Sequence, residues 1–237
     1  MSQLRSAEGV YWASDGRFSP DFPPTSDALT EPPGLLAIGG ELSMERLLTA
    51  YSQGIFPWYV AGQPILWWSP APRAVLLPDA VHVSRRLART LRSNEFSVSV
   101  NQAFAAVISA CANTPRRDSA GTWITEEMAL AYTRLHQAGF AHSIECWHEQ
   151  RLVGGIYGVA LGQVFFGESM FSLRSNASKV ALVHLCQLAQ AWDYQLIDCQ
   201  METAHLMSLG ASLWSRDRFE TALAALTMRN PSSQAWG

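Results

Sequence analysis

The segment from Phe165 to Gln200 reads FFGESMFSLRSNASKVALVHLCQLAQAWDYQLIDCQ, and it constrains the fold more than any other part of the chain. Both of its ends are rich in strand-forming residues. Between them, a polar start at residues 175–178 precedes apolar residues that recur at helical spacing from Val180 to Leu188. The pattern predicts a strand, then an amphipathic helix that crosses over the sheet, then a second strand.

Polar side chains stand at the ends of both predicted strands. Glu168 follows one run of strand-forming residues, and Asp198 and Gln200 close the other. Because side chains alternate between the faces of a strand, Asp198 and Gln200 are predicted to project from the side opposite to Ile197 and Cys199. An acid beside an amide at a strand end suits a reaction site. The same pair would also serve simply to satisfy the backbone amides of a loop.

Three strand patterns precede the crossover with only short turns between them: HSIECW, LVGGIYGVAL and QVFFGESMF. Consecutive strands with short connections predict an antiparallel meander, and the crossover then adds a parallel neighbour. The expected fold class is therefore α+β, with a mixed sheet flanked by helices.

The chain divides into two predicted parts. Residues 1–70 form a small N-terminal domain with a proline-rich lead, a helix capped by Ser43 and ended at Gly54, and short strands broken by prolines. Residues 71–237 form the larger domain that contains the mixed sheet.

Composition excludes several protein classes. No apolar run of about 18 residues is present, and the first residues lack the apolar centre of a signal peptide, so membrane spanning and secretion are not expected. The expected compartment is the cytoplasm. The four cysteines show no paired spacing, which indicates reduced core thiols rather than a metal site or disulfides.

Arginines are concentrated in one segment of a chain whose net charge is -3. Arg85, Arg86, Arg89 and Arg92 lie within eight residues without an acidic neighbour. On a helix they can point outward while Leu87 is buried, and guanidinium groups pair well with phosphates. A solvated helix face explains the same pattern, and the sequence leaves both interpretations open.

Several ordered segments carry a family resemblance: GESMFS, NASK, LIDCQ and HLMSLGA, preceded by EPPGLLAIGGELS, GIFPWY, ILWWSPAPRAVL, GTWIT and AYTRLH. They extend from about Phe22 to about Arg218, which is nearly the whole chain. In these segments the chain resembles the leucyl/phenylalanyl-tRNA–protein transferase family. One departure is GGEL, where the family commonly has GGDL. The resemblance implies a larger domain with the fold of GNAT acyltransferases.

The resemblance also implies an activity. Members of this family transfer Leu, Phe and, less efficiently, Met from aminoacyl-tRNA to the N-terminal Arg or Lys of a protein, which marks that protein for degradation. The expected partners are therefore aminoacyl-tRNA and such proteins, and neither a cofactor nor a metal is expected. An α-amine has a pKa of about 7.7 to 8.0, so part of it is neutral at pH 7 and no strong base is required.

Site residues follow from the resemblance. Asp198 and Gln200 are expected to orient the amine and accept its proton, with Glu168 across the site. Both carboxylates would form an anionic patch for the cationic acceptor residue. Arg73 and the arginine helix would contact the tRNA. The expected aminoacyl pocket lies at the seam between the domains and consists of Tyr51, Trp58, Trp123, Tyr132, Ile156, Phe165, Met170, Leu182, Leu185 and Ile197.

Other functions fit the residues less well. An acetyl-CoA enzyme needs a glycine-rich turn opening a helix, but the crossover helix opens with Asn-Ala-Ser-Lys. A serine hydrolase would need a second glycine after Ser169. His205 is interpreted as a structural residue. The remaining alternatives are a GNAT-like transferase with another donor and an RNA-binding protein without chemistry.

Overall fold

The computed structural model describes residues 4–5, 11–13, 22–114 and 124–236. In these ranges the strands are β1 (Leu4–Arg5), β2 (Tyr11–Ala13), β3 (Leu35–Gly39), β4 (Phe56–Pro57), β5 (Leu66–Trp68), β6 (Arg73–Leu76), β7 (Ser97–Val100), β8 (Ala141–His148), β9 (Arg151–Leu161), β10 (Val164–Ser172), β11 (Leu196–Gln200) and β12 (Ser212–Trp214). The α-helices are α1 (Met44–Ser52), α2 (Arg85–Arg92), α3 (Phe104–Asn113), α4 (Glu126–Gln137), α5 (Ala177–Ala191), α6 (Ala204–Ser208) and α7 (Arg216–Thr227).

The smaller sheet has the strand order β1-β2-β3-β5-β4. α1 follows β3, and its first turn is capped by the Ser43 hydroxyl, which accepts a hydrogen bond from the backbone N–H of Arg46 at 3.3 Å. Gly54 follows the helix with φ of +74°, a conformation that glycine adopts at little cost. The predicted start and end of this helix are therefore correct.

The larger sheet has the order β12-β6-β11-β10-β9-β8-β7. β8, β9 and β10 form an antiparallel meander, and α5 then leads to β11, which pairs with β10 in parallel. The side chains of α5 are buried on one face of this sheet, and those of α3 and α4 on the other. The predicted α+β class, with a mixed sheet flanked by helices, is confirmed.

The strands on either side of residue 70 join different sheets. β5 ends at Trp68 and belongs to the smaller sheet, whereas β6 begins at Arg73 and belongs to the larger one. One apolar cluster nevertheless contains Trp67 together with Val75 and Phe166. The two sheets share this core. The division into residues 1–70 and 71–237 therefore stays a proposal.

The parallel pairing of β10 with β11 stops at the pair Phe166 and Asp198. Just beyond it, β10 has a register shift against β9 between Gly167 and Ser169, and β11 has one against β6 between Asp198 and Gln200. Such bulges bend a strand and change the direction of its side chains. Gln200 itself has φ of +64°, in the left-handed region. The candidate site lies where this pairing ends.

None of the helices in the described ranges combines the length and the apolar character that a membrane span requires. All four cysteines have free thiols: Cys111, Cys146 and Cys186 are buried, and Cys199 is half-buried at the end of β11.

Candidate active site

A cavity of about 480 Å³ opens beside the ends of β10 and β11, between α5 and α6. Its apolar wall consists of Ile156, Met170, Leu182, Ile197 and Leu206. Its polar wall consists of Glu168, Ser169, Cys199, Gln200, Thr203 and His205. An apolar chamber with a few converging polar groups is the usual form of a small-molecule site.

Glu168 lies at the polar end of this cavity and is 7% exposed. Its Oε1 lies 2.7 Å from the Tyr51 hydroxyl, and its Oε2 lies 2.8 Å from the Tyr132 hydroxyl. The two hydroxyls are 2.5 Å apart. The Gln200 side chain donates from Nε2 to Oε1 of Glu168 at 2.9 Å. Residues from α1, α4, β10 and β11 therefore meet in one hydrogen-bonded cluster.

Burial raises the pKa of Glu168 from its ordinary 4.5 to about 7, because a carboxylate is poorly solvated there. Hydrogen bonds from Tyr51, Tyr132 and Gln200 oppose this increase, and the negative charge of Asp198 adds to it. The pKa values of both tyrosines are raised well above 10, chiefly by burial. Glu168 is therefore a group that titrates near neutral pH.

Asp198 is fully buried, and its carboxylate is occupied on both oxygens. Arg73 donates from Nε to Oδ1 at 2.8 Å and from Nη2 to Oδ2 at 2.7 Å. Oδ1 also accepts the backbone N–H of Gln200 at 2.9 Å. This geometry is a bidentate ion pair that anchors the start of the Gln200 turn.

Two family models match the chain, and together they cover most of its length. The model described as leucyl/phenylalanyl-tRNA protein transferase matches residues 75–224. The model of the N-terminal domain of the same enzymes matches residues 40–71. The chain belongs to the leucyl/phenylalanyl-tRNA–protein transferase family. The predicted resemblance is confirmed.

Relatives of similar length bear the same name. A leucyl/phenylalanyl-tRNA–protein transferase from Aromatoleum aromaticum is 58% identical over 217 residues, which cover 92% of this chain and 91% of that protein. One from Hydrogenovibrio crunogenus is 55% identical over 215 residues, which cover 91% and 84%.

Solved structures give a more distant likeness. A GCN5-related N-acetyltransferase from Kribbella flavida aligns with a TM-score of 0.38 at 12% identity and covers 68% of this chain and 57% of that one. The L-PGS structure from Bacillus licheniformis aligns with a TM-score of 0.35 at 12% identity and covers 79% and 58%.

Two residues have surroundings that differ from the expectations for this family member. Asp198 was expected to accept the proton of the amine, but its carboxylate is buried, paired with Arg73 and absent from the cavity wall. Arg73 was expected to contact tRNA, but it is 1% exposed and its guanidinium lies over the rings of Phe56 and Phe219, at 5.0 and 4.7 Å. We correct both roles: the pair is a buried anchor.

The expected anionic patch is also corrected. The charge of Asp198 is balanced by Arg73, and both oxygens of Glu168 are hydrogen-bonded to the hydroxyls of Tyr51 and Tyr132. Neither carboxylate presents a free charge to the cavity.

The expected pocket residues fall into three groups. Ile156, Met170, Leu182 and Ile197 line the cavity. Tyr51 and Tyr132 lie behind Glu168 and reach it through their hydroxyls. The others lie elsewhere: Phe165 on β10 and Leu185 on α5 are buried in one core cluster, Trp58 lines a neighbouring cavity, and Trp123 lies outside the described residues.

Phe165 and Leu185 are absent from the cavity wall because other groups cover them. Phe165 is 1% exposed, and its ring centroid lies 5.6 Å from that of Trp236. Leu185 lies almost one turn beyond Leu182 on α5, within the same buried cluster. We therefore correct the prediction that these two residues line the pocket: both occupy core positions.

A second cavity of about 220 Å³ adjoins the first, and both are lined by Glu168, Cys199, Gln200, Thr203 and Leu206. Its outer wall consists of Phe56, Pro57, Trp58, Met201 and Glu202. Trp58 is 38% exposed, and its ring lies edge-on to that of Trp68 with the ring centroids 5.6 Å apart. Gln200 and Glu168 therefore stand between two chambers, one larger and apolar, the other with an exposed acid.

Several wall residues were missed by the sequence analysis. Thr203, His205 and Leu206 belong to α6 and its N-cap, where the Thr203 hydroxyl accepts from the backbone N–H of Leu206 at 3.1 Å. Burial lowers the pKa of His205. The signal was the segment HLMSLGA, which marked α6 as a family segment without showing that it faces the cavity.

The arginine helix α2 has the predicted arrangement of faces. Leu87 is buried, whereas Arg85, Arg86, Arg89 and Arg92 are exposed. The Ser84 hydroxyl caps the helix by accepting the backbone N–H of Leu87. The exposed guanidinium face is available to an anionic partner, and its contact with tRNA stays a prediction.

Proposed function

We propose that this chain transfers Leu, Phe and, less efficiently, Met from aminoacyl-tRNA to the N-terminal Arg or Lys of a protein, and that this transfer marks the protein for degradation. The observation that carries the proposal is the apolar cavity that ends on the amide of Gln200. Membership of the transferase family supports it. The cytoplasm stays the predicted compartment.

The larger cavity suits the side chain of the transferred amino acid. Ile156, Met170 and Leu182 give it an apolar wall, and the flexible thioether of Met170 can adapt to Leu, Phe or Met. A methylene group in such a pocket is worth only about 1 to 3 kcal/mol, so exclusion of Ile and Val must come from the shape of the wall.

Gln200 is the group best placed to orient the attacking amine. Its Nε2 is used by Glu168, which leaves Oε1 to accept a hydrogen bond from the amine. The amine nitrogen forms a bond to the ester carbonyl carbon, and the bond between that carbon and the ribose oxygen breaks. The proton lost by the amine ends on the ribose oxygen, which becomes a hydroxyl. Asp198 contributes by holding the Gln200 backbone. Good positioning can contribute roughly 7 to 11 kcal/mol to such a step.

The smaller cavity suits the acceptor residue. Glu202 lines it, is exposed, and forms no ion pair within the ranges that the structure describes. A cationic Arg or Lys side chain would find its charge partner there, a role that Asp198 and Glu168 do not offer. The α2 arginines would pair with tRNA phosphates.

A transfer assay tests the proposal. The purified chain is incubated with radiolabelled Phe-tRNA and with two versions of one protein that differ only in an N-terminal Arg or Ser. We expect label on the Arg version alone. Absence of transfer with retained tRNA binding would instead support an RNA-binding protein without chemistry, and label from acetyl-CoA would support another acyl donor.

A further inference from the structure

The cluster behind the cavity is a closed ring of three oxygen contacts. Tyr51 contacts Tyr132 at 2.5 Å and Oε1 of Glu168 at 2.7 Å, and Tyr132 contacts Oε2 of Glu168 at 2.8 Å. Each distance is that of an O–H···O hydrogen bond, so each contact requires one hydrogen between its oxygens.

The number of hydrogens that the ring requires indicates the protonation state of Glu168. Each tyrosine hydroxyl carries one hydrogen, and an ionised carboxylate carries none. With Glu168 ionised, one of the three contacts would bring two oxygens together without a hydrogen, in a buried place where such a conflict is costly. A neutral carboxyl supplies the missing hydrogen. We propose that Glu168 carries its proton at neutral pH in a closed ring with Tyr51 and Tyr132, and that this ring positions the Gln200 amide.

The contact with Gln200 fixes the direction of the ring. Gln200 Nε2 donates to Oε1 of Glu168, which makes Oε1 the carbonyl oxygen. Oε2 then carries the proton and donates it to Tyr132, Tyr132 donates to Tyr51, and Tyr51 donates to Oε1. Every hydrogen of the ring has one acceptor, and the Gln200 side chain contacts Glu168 through Nε2 rather than through its carbonyl oxygen.

The surroundings favour a neutral acid. Burial raises the pKa of Glu168 to about 7, and the neighbouring carboxylate of Asp198 contributes to the increase. The positive charge of Arg73 is paired with Asp198 and does not contact Glu168. The other titratable groups facing the ring or the adjoining cavities are Tyr157 on β9, Cys199 on β11, Glu202 before α6 and His205 on α6.

Four of the groups around Glu168 stay neutral near pH 7, because burial shifts their pKa values away from it. The pKa values of Tyr51, Tyr132 and the Cys199 thiol are raised by burial, whereas that of His205 is lowered. A change in charge at neutral pH in this cluster therefore belongs to Glu168. The positioning role rests on the proposed transfer function, whereas the protonation state does not.

Infrared difference spectra between the wild type and the variant Glu168→Gln test the protonation without any substrate. We expect the carbonyl band of a protonated carboxyl at neutral pH, which disappears as the pH rises well above about 7. A carboxylate signal alone at neutral pH and below would overturn the protonation, whether or not the chain transfers amino acids.

Transfer kinetics test the positioning role in two variants. An amide has the same shape as the neutral acid and can complete the same ring, so Glu168→Gln should lose severalfold less of the transfer rate at neutral pH than Glu168→Ala. Glu168→Ala opens the ring and leaves a Gln200 donor without its acceptor, which should reduce the rate roughly tenfold or more. Equal losses in both variants would overturn the positioning role.

The pH profile separates positioning from general support of the fold. In the wild type, Glu168 should lose its proton as the pH rises through about 7, and the ring that positions Gln200 should open. The variant Glu168→Gln has no proton to lose in this range. The ratio of the variant rate to the wild-type rate should therefore increase with pH across this range. A constant ratio would contradict the inference, and thermal unfolding followed by circular dichroism at each pH controls for loss of fold.

Discussion

Arg73 and Asp198 form a bidentate ion pair between adjacent antiparallel strands, β6 and β11, with side chains that are 2% and 0% exposed. The pair also receives the backbone N–H of Gln200, so one buried charge pair fixes the point where β11 turns towards the cavity. Removal of either partner would leave a charge in the core without compensation.

Arg73→Ala should therefore destabilise the fold. Breaking a buried pair by removing one partner costs about 3 to 5 kcal/mol, and urea unfolding followed by circular dichroism measures this loss. The matched control is Arg85→Ala on the exposed face of α2, which should change stability by less than about 0.5 kcal/mol. If both variants had equal stability, the buried role of Arg73 would be wrong.

Asp198→Asn should reduce transfer far more than tRNA binding. The amide cannot accept both Arg73 bonds as a carboxylate does, so the Gln200 turn shifts, and misplacement by about 1 Å can reduce a rate on the order of 100-fold. Single-turnover transfer measures the rate, and filter binding measures the affinity for tRNA. Equal losses in rate and affinity would show that Asp198 acts mainly on tRNA binding or on the fold.

The crossover unit could be predicted from sequence because its signals are local. Helical spacing in residues 180–188 and strand patterns on either side are sufficient to predict β10, α5 and β11. The convergence of Glu168 and Gln200 follows from that unit, since the ends of parallel strands meet at one edge of a sheet.

The role of Asp198 could not be predicted in the same way. Its partner Arg73 is 125 residues away in sequence, and nothing local in either segment shows the pairing. The alternation of apolar and polar residues in the sequence also gives no sign of the register shifts in β10 and β11. These shifts nevertheless determine which side chains reach the cavity. Phe165, which the family resemblance placed in the pocket, is part of the core, and the ring of Trp236 packs against it.

Replacement of Arg85 and Arg89 together by Ala should weaken tRNA binding and reduce its salt dependence. Each phosphate contact contributes about 0.7 to 0.9 to the slope of log affinity against log salt, so the slope should fall by about 1 to 2. Fluorescence anisotropy over a salt series measures it. Arg229→Ala, an exposed arginine after α7, is the control. An unchanged slope in the double variant would identify α2 as a solvated surface.

Glu202→Gln should weaken selection of the acceptor. Loss of the exposed carboxylate in the smaller cavity removes the charge partner of an N-terminal Arg or Lys, so KM for such a protein should increase several-fold, with little change in kcat. The variant Glu149→Gln removes an exposed acid elsewhere and controls for net charge. If KM for the Arg protein were the same in both variants, the acceptor residue would bind elsewhere.

The protonation of Glu168 also predicts how stability depends on pH. Below about pH 4.5 the acid is protonated in both the folded and unfolded chain, and between about pH 4.5 and about pH 7 only the folded chain keeps the proton. The free energy of unfolding should therefore fall across this window by up to about 3 kcal/mol and stay lower above it. Glu168→Gln lacks this contribution. In urea unfolding over the pH series, the free energy of unfolding of the variant should therefore increase relative to that of the wild type across the window. A difference between the two that does not change with pH would mean that Glu168 has an ordinary pKa in the folded protein.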